Sequence, residues 1–160
     1  KFKGRVAIGS SEGTVYLIHP LTLFARKLSV EGEIASSPML ARNGNIIATT
    51  LSGSVYSFNS SGSLLWQFSI PSASGKGPMI WGSASELSDG TIVFGAADGG
   101  LYFLHPSDGS LKAVYFLSKG KDKNSSNGIW TTPLVLDDDT VVVGSQSYNV
   151  HFLKLELYKP

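Results

Sequence analysis

"GSVYSFNSSGSLLW" (Gly53–Trp66) reads as a β-hairpin, and whether it stands alone or recurs decides the fold. Val55, Tyr56 and Phe58 form one strand, Asn59-Ser60-Ser61-Gly62 supplies a turn, and Leu64-Leu65-Trp66 begins the return strand. The stretch recurs. GTVYLI (Gly13–Ile18), GGLYFL (Gly99–Leu104) and YNVHFL (Tyr148–Leu153) match GSVYSF (Gly53–Phe58). Each copy follows, at an offset of 8 residues, a second β-rich run that begins at Arg5, Asn45, Thr91 or Thr140. A third run precedes the second by 11 residues: IASSPML from Ile34, IWGSASE from Ile80 and IWTTPLV from Ile129. Tyr16, Tyr56, Tyr102 and His151 are therefore equivalent, at steps of 40, 46 and 49 residues. Offsets held constant over so many copies identify an internal repeat.

Each unit reads as four strands. The Ile-led run is the first and innermost, the Ile/Val run the second, the Val-Tyr run the third, and Leu64-Leu65-Trp66 opens a fourth. Asn43-Gly44 and Asp89-Gly90 mark the turn between the first two strands, and Asp138-Asp139 fills it in the last unit. No segment carries a helical period. The expectation is an all-β fold, a β-propeller of four-stranded antiparallel blades, in a single partial domain over 1–160. The blades fall at approximately 1–28, 33–68, 79–117 and 128–160. Too few residues precede Arg5 for an innermost strand, and a fourth strand after Leu153 is not signalled, which leaves about three and a half blades. Such a chain belongs to a ring of about seven or eight blades. A longer polypeptide would complete it, or a homo-oligomer whose copies close the ring.

Composition narrows the function classes. A net charge of +1 and 16% charged residues lack the basic excess of a nucleic-acid binder. No apolar run approaches the roughly 18–20 residues that span a bilayer. With 0 cysteines there are no disulfides and no thiolate metal sites.

The repeats differ mainly where one blade passes to the next. From Arg26, Trp66 and Ala113 to the following Ile34, Ile80 and Ile129 the gaps are 8, 14 and 16 residues. These connectors share a face with the turns Ser10–Gly13, Leu51–Gly53, Ala97–Gly99 and Gln146–Tyr148, and loop growth confined to one face points to binding there. The candidate binding face holds Lys76 in Ser69–Met79, and Lys119, Lys121 and Lys123 in Ser118–Gly128. Trp81 and Trp130 occupy one equivalent position in the innermost strand, where the second blade has Ala35. Their first reading is inter-blade core; on the second they join the candidate face as flat surfaces near the central channel.

The unit resembles the pyrroloquinoline-quinone-like (PQQ-like) repeat, whose usual form is Gly-x-Val-Tyr-Ala-Leu-Asp-x-x-Thr-Gly-x-x-x-Trp. IASSP and IWTTP look like the Ser-Ser-Pro or Thr-Thr-Pro opening of its first strand, and the likeness spans nearly the whole chain. The resemblance puts Trp66 at the tryptophan that docks between neighbouring blades. His19 and His105 stand at the family's Asp position, and Arg26 and Ala113 at its Trp position, so docking is irregular here. The family contains quinone-dependent dehydrogenases, which hold quinone and calcium, and a non-catalytic branch that resembles outer-membrane assembly scaffold lipoproteins. The non-catalytic branch implies a protein partner and a periplasmic or extracellular location.

The residues offer little chemistry to the first branch. Calcium takes six or more oxygens, while the carboxylates outside Asp137–Asp139 are scattered and that cluster fills a hairpin turn. His19, His105 and His151 lie in different blades, away from the convergence a zinc site needs. No Gly-x-Ser-x-Gly elbow and no phosphate loop before a helix is present. The expectation is a protein-interaction or scaffold module with no catalytic, cofactor-binding or metal residue. The alternatives are a fragment of a quinone-dependent dehydrogenase, and a small-molecule or glycan binder using Trp81 and Trp130.

Overall fold

The computed structural model describes residues 5–73, 75–117, 127–137 and 140–154. Their strands form antiparallel sheets that follow one another along the chain, with no helix among the described residues. The first sheet pairs β1 (Val6–Ser10), β2 (Thr14–Ile18) and β3 (Ala25–Ser29). The second pairs β4 (Met39–Leu40), β5 (Ile46–Thr49), β6 (Ser54–Phe58) and β7 (Leu64–Ser69). In the third, β8 (Ser85–Glu86), β9 (Ile92–Gly95), β10 (Gly100–Leu104) and β11 (Leu111–Phe116) repeat the same order. The last joins β12 (Leu134–Val135), β13 (Thr140–Gly144) and β14 (Val150–Lys154). Each sheet is a meander in sequence order, the blade of a β-propeller.

Turn chemistry explains the hairpins. Asn43 and Asp89 each accept, through the side-chain oxygen, the N–H two residues on, and Gly44 and Gly90 follow at φ 86°. At the outer turn of the second blade, Asn59 Oδ1 accepts from the Ser61 and Ser63 N–H groups, and Gly62 takes φ 85°. Asp108 does the same for Ser110 in the third blade. These hydrogen bonds hold the exposed Asp108 carboxyl below its ordinary value.

The innermost strands are shorter than the Ile-led runs imply. β4, β8 and β12 pair over two residues each, at the far end of the run. Pro38 and Pro133 bring no N–H to a ladder. The near end of each run is engaged elsewhere. The Glu33 carbonyl accepts from Leu51 N–H of its own blade at 2.8 Å, while Ile34 N–H donates to Ser10 of the preceding blade at 3.2 Å. Met79–Ile80 repeats this with Ala97 and Thr50, and Gly128–Ile129 with Gln146 and Ala96. One peptide group thus ties two blades together at every junction.

The isoleucine side chains complete the junction. Ile34, Ile80 and Ile129 are buried, and each belongs to the apolar cluster between its blade and the one before. Gly9, next to last in β1, and Gly95, last in β9, leave the space that Ile34 and Ile129 fill. A Cβ at Gly9 would lie 2.3 Å from Ile34 Cγ2, and one at Gly95 would lie 2.1 Å from Ile129 Cγ2. The second and third strands of the two central blades are buried along their whole length because both faces meet a neighbour. In the outer blades β2 and β13 are buried at alternate residues, while β1 and β14 have no buried residue.

Two outcomes follow for stability. Gly95→Ala forces a methyl group against the stiff, β-branched Ile129 and should cost about 1–3 kcal/mol in urea unfolding. Combined with Ile129→Val it should cost less than the sum of the two single changes; strict additivity would show that the contact is not under compression.

Asp89 supplies the second. Burial raises its carboxyl, but hydrogen bonds from Lys112 Nζ at 2.8 Å and from Thr91, with the Lys112 charge, hold it at about 2, below the ordinary 3.8. A lowered folded-state value stabilises the fold above the unfolded value. That contribution is complete above about pH 4 and disappears as the pH falls toward about 2. Both side chains are about a third exposed, so solvent screening keeps the effect small. The melting-temperature deficit of Asp89→Asn should therefore narrow across that interval, and a deficit independent of pH would contradict the pairing.

Candidate functional site

Antiparallel meanders place the turn between the second and third strands on the same side as the connector that leaves the fourth. On that side the second blade carries a groove of about 520 Å³. One wall is the Glu31-Gly32-Glu33 connector, the floor is Leu51, Ser52 and Ser54 with Ser69 and Ile70, and the opposite wall is Gly75-Lys76-Gly77. Glycine is required where these walls converge. Gly53 has φ 81°, and a Cβ there would meet Gly77 and Pro78 backbone atoms at 2.8 Å.

The groove is cross-tied by hydrogen bonds. Ser52 Oγ donates to the Glu31 carbonyl at 3.0 Å and shares a hydrogen bond with Thr50 Oγ1 at 2.8 Å. Glu31 N–H donates to the Tyr56 hydroxyl at 3.1 Å, so the repeat's tyrosine holds the connector from below. Ser54 and Ser69 hydroxyls pair at 2.9 Å. The Glu31 and Glu33 side chains are exposed, as is Lys76 across from them. The arrangement offers carboxylates, an ammonium and serine hydroxyls to a polar occupant.

Lys76 is the one lysine of the candidate face among the described residues. Lys119, Lys121 and Lys123 lie outside them, as does the Asp138-Asp139 turn. Trp66 lies elsewhere. It is buried, and its indole N–H donates to the Pro106 carbonyl of the third blade at 3.0 Å. A Cβ at Gly109 would sit 2.4 Å from its ring.

Trp81 and Trp130 are not inter-blade core. They are 37% and 48% exposed, and their rings meet each other at 5.7 Å between centroids with 41° between planes. Strand alternation explains this, since the preceding isoleucines point into the core and the next residue points out. Below them a belt of hydroxyls joins the inner strands sideways. Ser83 Oγ donates to the Ser37 carbonyl at 2.8 Å, and Ser83 N–H donates to Thr132 Oγ1 at 2.9 Å.

The strand-three aromatics also reach this side. The Tyr102 hydroxyl donates to Asp98 Oδ2 at 2.6 Å; burial first, then the Asp98 hydrogen bond and charge, raise its pKa. His151 Nε2 lies 3.0 Å from Ser145 Oγ. Among the described residues no group of three or more His, Asp or Glu side chains could hold a metal ion. A second hollow, of about 490 Å³, lies between β11 and β14 and is lined by Tyr115, Phe116, Val150 and Phe152.

Two features escaped the sequence reading. Glu31 and Glu33 looked like scattered acids, although the shortest connector, ending at Ile34, had to bring them to this side. Tyr148 stands where the other blades have Gly13, Gly53 and Gly99, and adopts the same left-handed conformation at φ 59°. Its side chain is 100% exposed. The repeat alignment already held that signal.

The family model described as outer membrane protein assembly factor BamB matches residues 2–156. No curated protein matches the chain. Among solved structures it is similar to BamB from Moraxella catarrhalis, with 18% identity and a TM-score of 0.74 over 94% of this chain and 46% of that one. The WD40 β-propeller domain of Doa1 gives 18% identity and a TM-score of 0.76 over 98% of this chain and 49% of that one. The computationally designed Ika4 protein gives 21% and 0.69 over 94% of this chain and 85% of that one. The chain spans about half the length of the first two, and likeness at this identity establishes the fold.

Tyr148 yields a direct test. Left-handed backbone at a bulky residue costs about 1–3 kcal/mol, and glycine returns roughly 0.5–1 kcal/mol of that through the unfolded chain. With no packing to lose, Tyr148→Gly should raise the unfolding free energy by about 1 kcal/mol. A loss of stability would mean that the side chain is held by contacts.

Proposed function

We propose a protein-interaction role for this chain on one premise: it belongs to the family described as outer membrane protein assembly factor BamB, which matches nearly all of its length. The BamB-like propeller fold supports a protein-interaction scaffold in general terms. Our reading goes further and puts contact on the connector side, with a component of an outer-membrane protein assembly machine as partner and the periplasm as the place. What carries it is the groove between the Glu31–Glu33 connector and the Gly75–Gly77 loop, built from the segments whose lengths vary between blades. Backbone carbonyls, serine hydroxyls and opposed charges there suit a polypeptide segment with polar and cationic side chains. Further blades, from a longer polypeptide or a second copy, would cover β1 and β14.

Binding to the periplasmic part of an outer-membrane assembly protein from the same organism, measured by biolayer interferometry, tests the reading. The expected result is saturable binding that weakens about tenfold or more in Glu31→Lys/Glu33→Lys, with the melting temperature retained. Absence of binding, together with calorimetric binding of PQQ and calcium, would overturn it in favour of a dehydrogenase fragment.

A further inference from the structure

Each junction joins two unlike faces, one that brings a bridging isoleucine and one that receives it. The receiving face is built from the same parts every time. The carbonyl of Ser10, Thr50 or Ala96 accepts the isoleucine N–H of the next blade, at 3.2, 3.3 and 2.9 Å. With its second lone pair the same carbonyl accepts the N–H of Gly13, Gly53 or Gly99, which closes the turn beside it. Third-strand side chains complete the seat. Val15 and Leu17 pack with Ile34, Val55 with Ile80, and Leu101 and Phe103 with Ile129.

The last blade carries this set once more, on the side turned away from the third blade. Ser145 stands at the position of Ser10, Thr50 and Ala96, and its carbonyl accepts the turn N–H of Tyr148 at 3.1 Å. Gly144 precedes it, as Gly9 precedes Ser10 and Gly95 precedes Ala96. Val150 and Phe152 hold the places of Val15 and Leu17. Strand alternation directs them away from Leu153, which packs against the apolar cluster shared with the third blade. They are 64% and 70% exposed, whereas Val15, Leu17, Val55, Leu101 and Phe103 are all buried.

The glycine shows how the two situations differ. At Gly9 and Gly95 an added Cβ strikes an isoleucine of the following blade. At Gly144 the nearest atom among the described residues is Thr131 Cγ2 of the same blade, at 3.4 Å, an ordinary contact.

We infer that the outward face of β13 and β14 is the receiving half of a further junction, whose occupant is the isoleucine-led opening run of another blade of this repeat, contributed by additional length of the same polypeptide. The incoming isoleucine takes the space over Gly144 and packs on Val150 and Phe152, while its N–H donates to the Ser145 carbonyl. The three seated isoleucines specify this occupant, since each brings the same main-chain donor and the same β-branched side chain to the same parts. A second copy of the chain does not supply it. Its Ile34, Ile80 and Ile129 are each seated in their own junctions, and the sequence outside the described residues contains no isoleucine. The seat lies in the last blade, apart from the groove of the second, and does not depend on the interaction reading.

The probe is a blocked octapeptide with the sequence of the chain's own opening run, EIASSPML (Glu33–Leu40), titrated into the isotope-labelled chain. The amide resonances of Gly144 and Ser145 should shift and saturate by millimolar peptide, while those of Gly9 and Gly95, whose seats are filled, stay in place. The Ile34→Ala form of the peptide should bind about tenfold or more weakly. Gly144→Val in the chain should abolish the shifts. Gly144→Ala reads whether the seat is already filled: its melting temperature should stay within about 2 °C of the parent, against a clear loss for Gly95→Ala. The proposal is overturned if neither resonance moves at millimolar peptide, if the alanine form binds as tightly, or if the shifts persist in Gly144→Val. It is likewise overturned if Gly144→Ala destabilises as Gly95→Ala does, which would put the chain's own residues in the seat. A dimer in sedimentation whose formation shifts Gly144 and Ser145 without peptide would overturn it in favour of a second copy.

Discussion

A single peptide group at each junction holds the array together. Glu33–Ile34, Met79–Ile80 and Gly128–Ile129 each turn a carbonyl to their own blade and an N–H to the blade before. Each bond contributes modestly on its own, about 1 kcal/mol. Their effect is geometric, because they fix the distance at which the isoleucine side chain must meet the preceding sheet. At two of the three junctions a glycine, Gly9 or Gly95, leaves that space free, and at the third the equivalent residue is the buried Thr49. The junction, more than any blade by itself, sets the architecture.

That constraint also shapes the surface. A run committed to bridging cannot pair along its whole length, so the inner strands shrink to two residues and leave their remaining side chains to solvent or to the belt of hydroxyls. Trp81 and Trp130 are exposed for this reason. The connector side gains its groove in the same way, since bridging anchors both ends of each connector and leaves the middle free to vary in length. In the 8-residue step the constraint produces a tight acidic wall, and in the 14-residue step an open glycine-bearing one.

Much of the fold was legible in the chain. The repeat, the turns at Asn43-Gly44 and Asp89-Gly90, and the strand order came from spacing and turn chemistry, both properties of neighbouring residues. The lining of the groove was legible only in part. Loop growth pointed to the connector side and Lys76, whereas Glu31 and Glu33, on the opposite wall, are 45 and 43 residues away in sequence. Nothing local announces a wall made of two connectors. The core reading of the tryptophans was open because their apolar character suits a core equally well, and only the direction of the bridging isoleucine decides which way the next side chain points.

The sequence by itself therefore determined the all-β repeat, the four-strand meander, the family and the side of the molecule on which variation accumulates. Tertiary structure alone decided how far the inner strands pair, which aromatic residues stay exposed, and which carboxylates line the groove with Lys76. The division has one physical cause. Periodicity and turn preference are fixed within a hairpin, whereas burial and opposition depend on what the adjacent blade presents, and that contact exists only once the junctions have formed.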